Sequence, residues 1–170
     1  MDAETEKKEY KYRYPHPAVT ADCVVFAFGS DGLEVLLVER GHEPCKGMWA
    51  FPGGFLNMDE TAEECAKREL REETGLTLDD VHEIGSFSAV HRDPRERVIS
   101  IAFYALARNT AVKGGDDAAE ARWWAVDSLP PLAFDHDDML RRALKRLRQD
   151  LLLEPELFDG QLPAALSFLI

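Results

Sequence analysis

Cysteine is scarce in this chain, and the three present, Cys23, Cys45 and Cys65, form no CxxC pair. That argues against a disulfide framework and fits a reducing cytoplasm in which thiols serve as small core residues. No run of 18 apolar residues exists, so no membrane-spanning helix is expected. The opening "MDAETEKKEYKYRYPHP" is charged throughout, so no secretory leader is expected and a cytoplasmic location is. Positive charge is also short: 20 Lys and Arg against 32 Asp and Glu give a net charge of −12. Nucleic acids and anionic membranes reward clustered cations, so neither is an expected partner. An anionic small molecule would need a local cation, from bound metal or a basic patch. The five histidines are scattered without an HExxH pair, and there is no repeat or low-complexity tract.

What remains is a chain of 170 residues, 45% hydrophobic, enough for one domain with one sizeable core. Residues 1–9 are charged and expected to fray. Tyr10, Tyr12 and Tyr14 alternate with Lys and Arg, as in a short edge strand or ordered arm, or an arm packed on a second subunit. The β-branched runs 18–28 and 33–40, joined by "GSDG", predict a hairpin. A loop over 41–47 leads to a short extended piece, "MWAFPGGF", over 48–55. Thr61 and Glu64 make a capping box, and Gly75 stands where a left-handed cap belongs, so a helix is predicted over 62–74. Its apolar stripe is Ala62, Cys65, Ala66 and Leu70.

Strands are predicted over 81–90, 98–108 and 121–126, with a long polar loop over 109–120. Asp135 is placed to cap a last helix whose apolar face is Met139, Leu140, Ala143, Leu144 and Leu147. The domain is expected over 18–150, after an arm over 1–17. An apolar tail over 151–170 would pack on the core or on a partner subunit. Strands interleaved with two helices predict an α/β domain, a mixed sheet between helices.

The stretch "RELREETGL" (68–76) sets Glu69, Glu72 and Glu73 at i, i+3 and i+4, on one face of the helix. One reading is a solvated, ion-laced helix held by Glu63–Lys67, Glu64–Arg68 and Arg68–Glu72 pairs. The other is a site for a hard divalent cation, which takes oxygen ligands and keeps positions for water and phosphate. Such a cation would turn the repulsion into attraction and supply the positive charge an anionic substrate needs. The glycine-rich turn "FPGGFLNMDE" before the helix lets backbone approach an ion closely.

From Gly54 the chain reads Gly, five residues, Glu60, seven residues, then Arg68-Glu69-Leu70-Arg71-Glu72-Glu73-Thr74-Gly75-Leu76. This resembles the Nudix box, Gx5Ex7REUxEExGU with U aliphatic, at every specified position. The resemblance implies a Nudix-type α/β/α sandwich and a hydrolase of nucleoside diphosphates linked to a second group. It implies that Glu69, Glu72 and Glu73, with the Gly54 carbonyl, hold Mg²⁺, for which Mn²⁺ would substitute. Glu69 would help deprotonate the attacking water, Arg68 would orient a catalytic glutamate, Glu72, and Glu60 would be structural or an outer metal contact.

Outside the box, "HPAVTADCVVF", "GMWAFPGGFLNMDET", "HRDPRERVIS" and "GGDDAAEARWW" are similar to the bacterial ADP-ribose pyrophosphatase-like branch. They are also similar to the Nudix-like domain of repressors that sense ADP-ribose. Hydrolysis of ADP-ribose to AMP and ribose 5-phosphate is the expected reaction. The alternatives are pyrophosphohydrolysis of (d)NTPs or damaged nucleotides, and ligand sensing without turnover. The sensing alternative would need a winged-helix domain, for which about 20 residues after the last helix are too few.

Arg40, Lys46, Arg92, Arg95 and Arg97 are cations in reach of phosphates, or in the case of Arg95 and Arg97 a solvated hairpin tip. Trp49, Phe51 and Phe55 either stack on a base or pack in the core. Glu120 is either a further metal or base residue from a loop across the cleft or a plain surface acid. His91, at a strand end, is a candidate substrate contact. His136 is assigned to the start of the last helix. The resemblance also implies a homodimer.

Overall fold

The computed structural model describes residues 9–29, 32–108, 110–115 and 118–158. The predicted hairpin is β1 (Ala18–Gly29) and β2 (Gly32–Arg40), closed with Gly29 opposite Gly32. The pair is registered only from Phe26–Val35 to this end. Beyond it the two strands part. β1 takes β4 (Gly53–Phe55) as its antiparallel neighbour over Thr20–Asp22, while β2 continues against β3 (Trp49–Ala50) and β7 (Ala118–Ala125). This fork opens the sheet where the glycine-rich turn enters it. On its other edge β1 runs parallel to β6 (Val98–Leu106), which pairs antiparallel with β5 (His82–Phe87). The sheet is therefore mixed, as expected.

Period-2 alternation gives the central strands two apolar faces. Val24, Phe26, Val35, Leu37 and Tyr104 point to one side, and Cys23, Val25, Leu36, Phe103 and Ala105 to the other. α1 (Ala62–Thr74) covers the second face through Cys65, Ala66 and Leu70, all fully buried. Burying Leu70 alone contributes about 2 kcal/mol. α2 (His136–Leu153) covers the first through Met139, Leu140, Ala143 and Leu147. At the far end of α2, Tyr104 donates to Asp150 at 2.5 Å and Arg146 Nε donates to the same carboxylate at 2.7 Å.

Both ends of α1 follow their local signals. Thr61 and Glu64 form the reciprocal capping box, and Gly75 adopts φ 74°, its N–H donating to the Arg71 carbonyl. The cap has a consequence. The Glu64 carboxylate accepts from the Thr61 N–H at 2.7 Å, so the expected Glu64–Arg68 pair does not form. Asp135 likewise occupies the N-cap position of α2 but makes no side-chain cap. Its carboxylate is held by Arg92 at 2.6 and 2.9 Å, and a charge-assisted two-point pair outcompetes a single neutral N–H.

Other boundaries differ from expectation. The piece over 48–55 divides into β3 and β4 around Phe51 and Pro52, and β5 ends at Phe87. β7 starts at Ala118, so Glu120 lies within a strand, not a loop. Residues 10–14 form no strand, and Tyr10, Tyr12 and Tyr14 are exposed. α2 crosses the expected boundary at 150, and a 3₁₀ turn (Pro155–Phe158) buries Phe158 completely in this chain's own core. The tail expectation for 159–170 falls outside the described residues. No helix among the described residues is long and apolar enough to cross a membrane.

Candidate active site

A cleft of about 410 Å³ opens at the fork between β1 and β2. The glycine-rich turn forms one wall, and two approaches fix its sequence. A side chain at Gly53 would bring Cβ to 2.5 Å from the Ala21 carbonyl oxygen, and one at Gly54 to 2.5 Å from the Glu69 carboxyl. β4 is thus pressed against β1 on one side and against the acidic face of α1 on the other.

Arg68 organises that face. Its Nε and Nη2 grip the Glu60 carboxylate at 2.9 and 2.6 Å, and its Nη1 donates to Glu69 at 2.6 Å and to Glu72 at 3.0 Å. Nη2 also reaches the Phe55 carbonyl at 3.2 Å. Hydrogen bonding from Arg68 holds the Glu60 carboxyl down at about 2. Glu60 is thereby a tether for the arginine, and the arginine a spacer between carboxylates that would otherwise repel.

Glu69 and Glu73 face the cleft. Burial raises the Glu69 carboxyl above its ordinary range, with Arg68 opposing. Burial pushes Glu73 up to about 8, against a hydrogen bond from the Gly53 N–H at 3.0 Å. Glu72 lies outside the cleft wall, its side chain 46% exposed and turned to Arg68. The same-face expectation for the three glutamates is met by the helix, but only two of them border the cavity.

At the mouth, Arg40 Nε donates to the Pro44 carbonyl at 2.8 Å and its guanidinium lies 4.8 Å from the Phe134 ring. Arg95 is paired with Asp93 at 2.7 Å and lies 5.2 Å from the Phe55 ring and 5.9 Å from Phe134. At the floor, Phe51 is buried and stacked on His136, with ring centroids 5.2 Å apart.

The Nudix domain profile matches residues 16–143. The chain belongs to the Nudix family. An ADP-ribose pyrophosphatase of Methanocaldococcus jannaschii is 42% identical over 132 residues, 77% of this chain and 76% of that protein. An ADPR responsive transcriptional repressor of Acinetobacter baylyi is 34% identical over 81% of this chain, but this chain spans only 57% of its length. Among solved structures, a MutT/nudix family protein of Enterococcus faecalis superposes with a TM-score of 0.81 at 29% identity, over 89% of this chain and 70% of that one. The Nudix domain of Shewanella oneidensis NrtR, in complex with ADP ribose, superposes with a TM-score of 0.75 at 29% identity, over 79% and 90%.

A Nudix hydrolase works with divalent metal, and the residues here fit one in their chemistry. The donors where α1 meets the cleft are oxygens: the Glu69 and Glu73 carboxylates and the backbone of Gly54, which lies against Glu69. Glu73 is a half-buried carboxyl whose ionisation is opposed by desolvation, the situation a bound cation relieves. Among the described residues no three acidic, histidine or cysteine side chains already surround one point. The protein side chains alone do not make a closed cage, and a Mg²⁺-like ion completes its octahedron with water and phosphate.

Several residues singled out in the sequence stand away from this Nudix cleft. Trp49 packs edge-on against Trp124, centroids 5.1 Å apart, at the rim of the core. His91 is exposed in the turn after β5 and does not line the cavity. Glu120 is exposed on β7 opposite Glu39 and does not line it either. Arg92 does border the cleft but is committed to Asp135, whereas Arg97, which does not line it, donates to the Ala89 carbonyl at 3.2 Å. Sequence reasoning missed Asp22, Asp93, Phe134 and the role of His136, all of which line the cleft. Only the positive φ of Phe134, 53°, is a local signal, and it is a backbone one that sequence does not display.

Two predictions arise here. Arg68→Lys replaces a planar fork that touches three carboxylates by one ammonium. Because a displacement near 1 Å costs up to about 10²-fold, kcat should fall by roughly 10- to 100-fold, with a smaller change in melting temperature. Both are read from kinetics and calorimetry on one sample. The second concerns His136, whose pKa burial lowers below its ordinary value of 6.5. The unfolded chain then binds the extra proton more readily than the folded one. The stability this imidazole contributes is complete above 6.5 and is lost as pH falls below it. A melting series from pH 8 to 5 should show this slope, and His136→Asn should flatten it.

Proposed function

We propose that the protein hydrolyses ADP-ribose to AMP and ribose 5-phosphate, with Mg²⁺ as the working ion and Mn²⁺ as a substitute. The observation that carries the reading is the acidic face of α1, which presents Glu69 and Glu73 beside the glycine turn in a cleft rimmed by Arg40 and Arg95. The 42% identity to an ADP-ribose pyrophosphatase over three quarters of both chains supports the substrate.

In this reaction a water oxygen bonds to one phosphorus of the diphosphate, and the bond from that phosphorus to the bridging oxygen breaks. Glu69, Glu73 and the Gly54 carbonyl at the cleft, with Glu72 one turn away beside Arg68, would hold the divalent cation, which would supply positive charge for the diphosphate and lower the pKa of water. Glu69 takes the proton of the attacking water, and burial, which raises its basicity, suits it to that task. Arg68 holds Glu69 and Glu72 in place through contacts of 2.6 and 3.0 Å. Arg40 and Arg95 offer guanidinium groups to phosphate oxygens at the mouth. Phe51 walls the floor. Trp49, His91 and Glu120 have no part in this set.

The same reading takes the protein as cytoplasmic and homodimeric, with no nucleic-acid or membrane partner. In this reading the hydrolase domain covers 18–150, between an arm over 1–17 and an apolar tail over 151–170 of which Leu151 and Phe158 pack on the domain's own core. The test is a hydrolysis screen, with products separated by chromatography, on ADP-ribose, NADH, dinucleoside polyphosphates and dNTPs, wild type beside Glu72→Gln. ADP-ribose should lead, and the variant should lose it. Activity confined to dNTPs would make the protein a nucleotide-pool pyrophosphohydrolase, and tight ADP-ribose binding without turnover would make it a sensor.

A further inference from the structure

Three residues far apart in the chain meet at the floor of the cleft, outside the Nudix box. Asp22 comes from β1, Ser100 from β6 and His136 from the first position of α2. The Ser100 hydroxyl is fully buried and donates to Asp22 Oδ2, which fixes the carboxylate and leaves Oδ1 for the cavity. The Phe51 N–H donates to His136 Nδ1 at 3.0 Å. A neutral imidazole carries one proton, so here it sits on Nε2. Nε2 faces Asp22 Oδ1 across 3.9 Å, too far for a hydrogen bond. His136 is 3% exposed, Asp22 is 7% exposed, and both border the cleft.

A donor and an acceptor on two buried residues thus flank one small gap at the cleft floor. One oxygen about 2.8 Å from each would close it, at an angle a hydroxyl or water tolerates. That oxygen must accept from Nε2–H and donate to Oδ1. A hydroxyl does both. A phosphate oxygen only accepts and would confront the carboxylate, so the gap selects against phosphate. We infer that His136 Nε2–H and Asp22 Oδ1 form a hydroxyl-binding subsite that takes a sugar hydroxyl of the substrate. It thereby distinguishes a glycosyl-linked diphosphate from a simple one. The inference rests on the ADP-ribose reading only for which sugar is bound.

Two variants separate the donor from the structural acceptor. His136→Asn keeps an oxygen near the Nδ1 position for the Phe51 N–H and removes the Nε2 donor. His136→Gln keeps a donor near Nε2 and drops that acceptor. The probes are ADP-ribose, its analogue lacking the adenosine 2′-hydroxyl, and ADP linked to a dideoxyribose. Wild type should show a KM about 10-fold higher for the analogue lacking the bound hydroxyl, and which analogue suffers identifies the ribose. In His136→Asn this ratio should collapse to about 1, the loss falling on KM more than on kcat. In His136→Gln the ratio should persist while the melting temperature falls.

A ratio in His136→Asn equal to that of wild type overturns the subsite. So does a wild-type enzyme indifferent to every hydroxyl, in which case the gap holds water only. Should ADP-ribose prove not to be a substrate, the functional reading fails separately. The ¹⁵N resonance of His136 Nε2 then decides: movement with ribose 5-phosphate but not with inorganic phosphate supports the subsite, and no movement with either refutes it.

Discussion

Glu69→Gln and Glu73→Gln are each expected to slow turnover by about 10²–10⁴-fold while the protein stays folded. Both carboxylates border the cleft, and both are held against burial rather than by it. Glutamine has nearly the same shape, so α1 and its packing on the sheet should persist. What is lost is negative charge at the point where cation and diphosphate meet. In Glu73→Gln the half-buried site no longer has a charge to desolvate, so its melting temperature without metal should be equal to or above that of wild type. Metal should then stabilise wild type far more than either variant, since a ligand that binds only the folded state stabilises in proportion to its affinity. Steady-state kinetics and melting curves with and without Mn²⁺ read both effects. Turnover within a few-fold of wild type in both variants would remove these two residues from the reaction.

The second large effect separates two adjacent glycines. Gly53→Ala places a methyl 2.5 Å from the Ala21 carbonyl oxygen and 2.8 Å from Asp22 Cα. Both are backbone atoms of β1, so β4 must leave its register. The expected cost is about 3 kcal/mol, a fall of roughly 6–12 °C in melting temperature. Gly54→Ala places a methyl 2.5 Å from the Glu69 Cδ and Oε1 instead. That is the free end of a flexible side chain, which swings aside at little cost to the fold. The carboxylate then leaves the cleft, and kcat should fall about 10- to 100-fold with a nearly unchanged melting temperature. Equal melting temperatures for the two variants would contradict the packing described here.

The parts of the fold legible in the sequence are those written in short-range spacing. Thr61, Glu64 and Gly75 mark α1 because a cap is a contact over three or four residues. The alternation of β1 and β2 marks two buried faces for the same reason. Glu69, Glu72 and Glu73 announce themselves because a helix brings i, i+3 and i+4 together whatever surrounds it. Where two short-range uses competed, spacing alone did not choose. Glu64 had a cap and a salt bridge available and took the cap.

The floor of the site was not legible. Asp22 and Ser100 are 78 residues apart in sequence, and Phe51 and His136 are 85 apart. Each reads alone as an ordinary polar residue near an apolar run. Their meeting depends on the parallel pairing of β1 with β6 and on where α2 docks. Asp135 shows the same limit, since its partner Arg92 is 43 residues away. Among the aromatics, residue type gave no distinction between Trp49, turned to Trp124, and Phe51, turned to the cleft. Strand parity at a break around Pro52 decides it.

The most direct test is anomalous diffraction at the manganese edge from crystals holding Mn²⁺ and a non-hydrolysable ADP-ribose analogue. The ion should lie against Glu69, Glu73 and the Gly54 carbonyl, with the diphosphate on its open side. Analogue bound in the cleft with no manganese beside α1 would contradict the account.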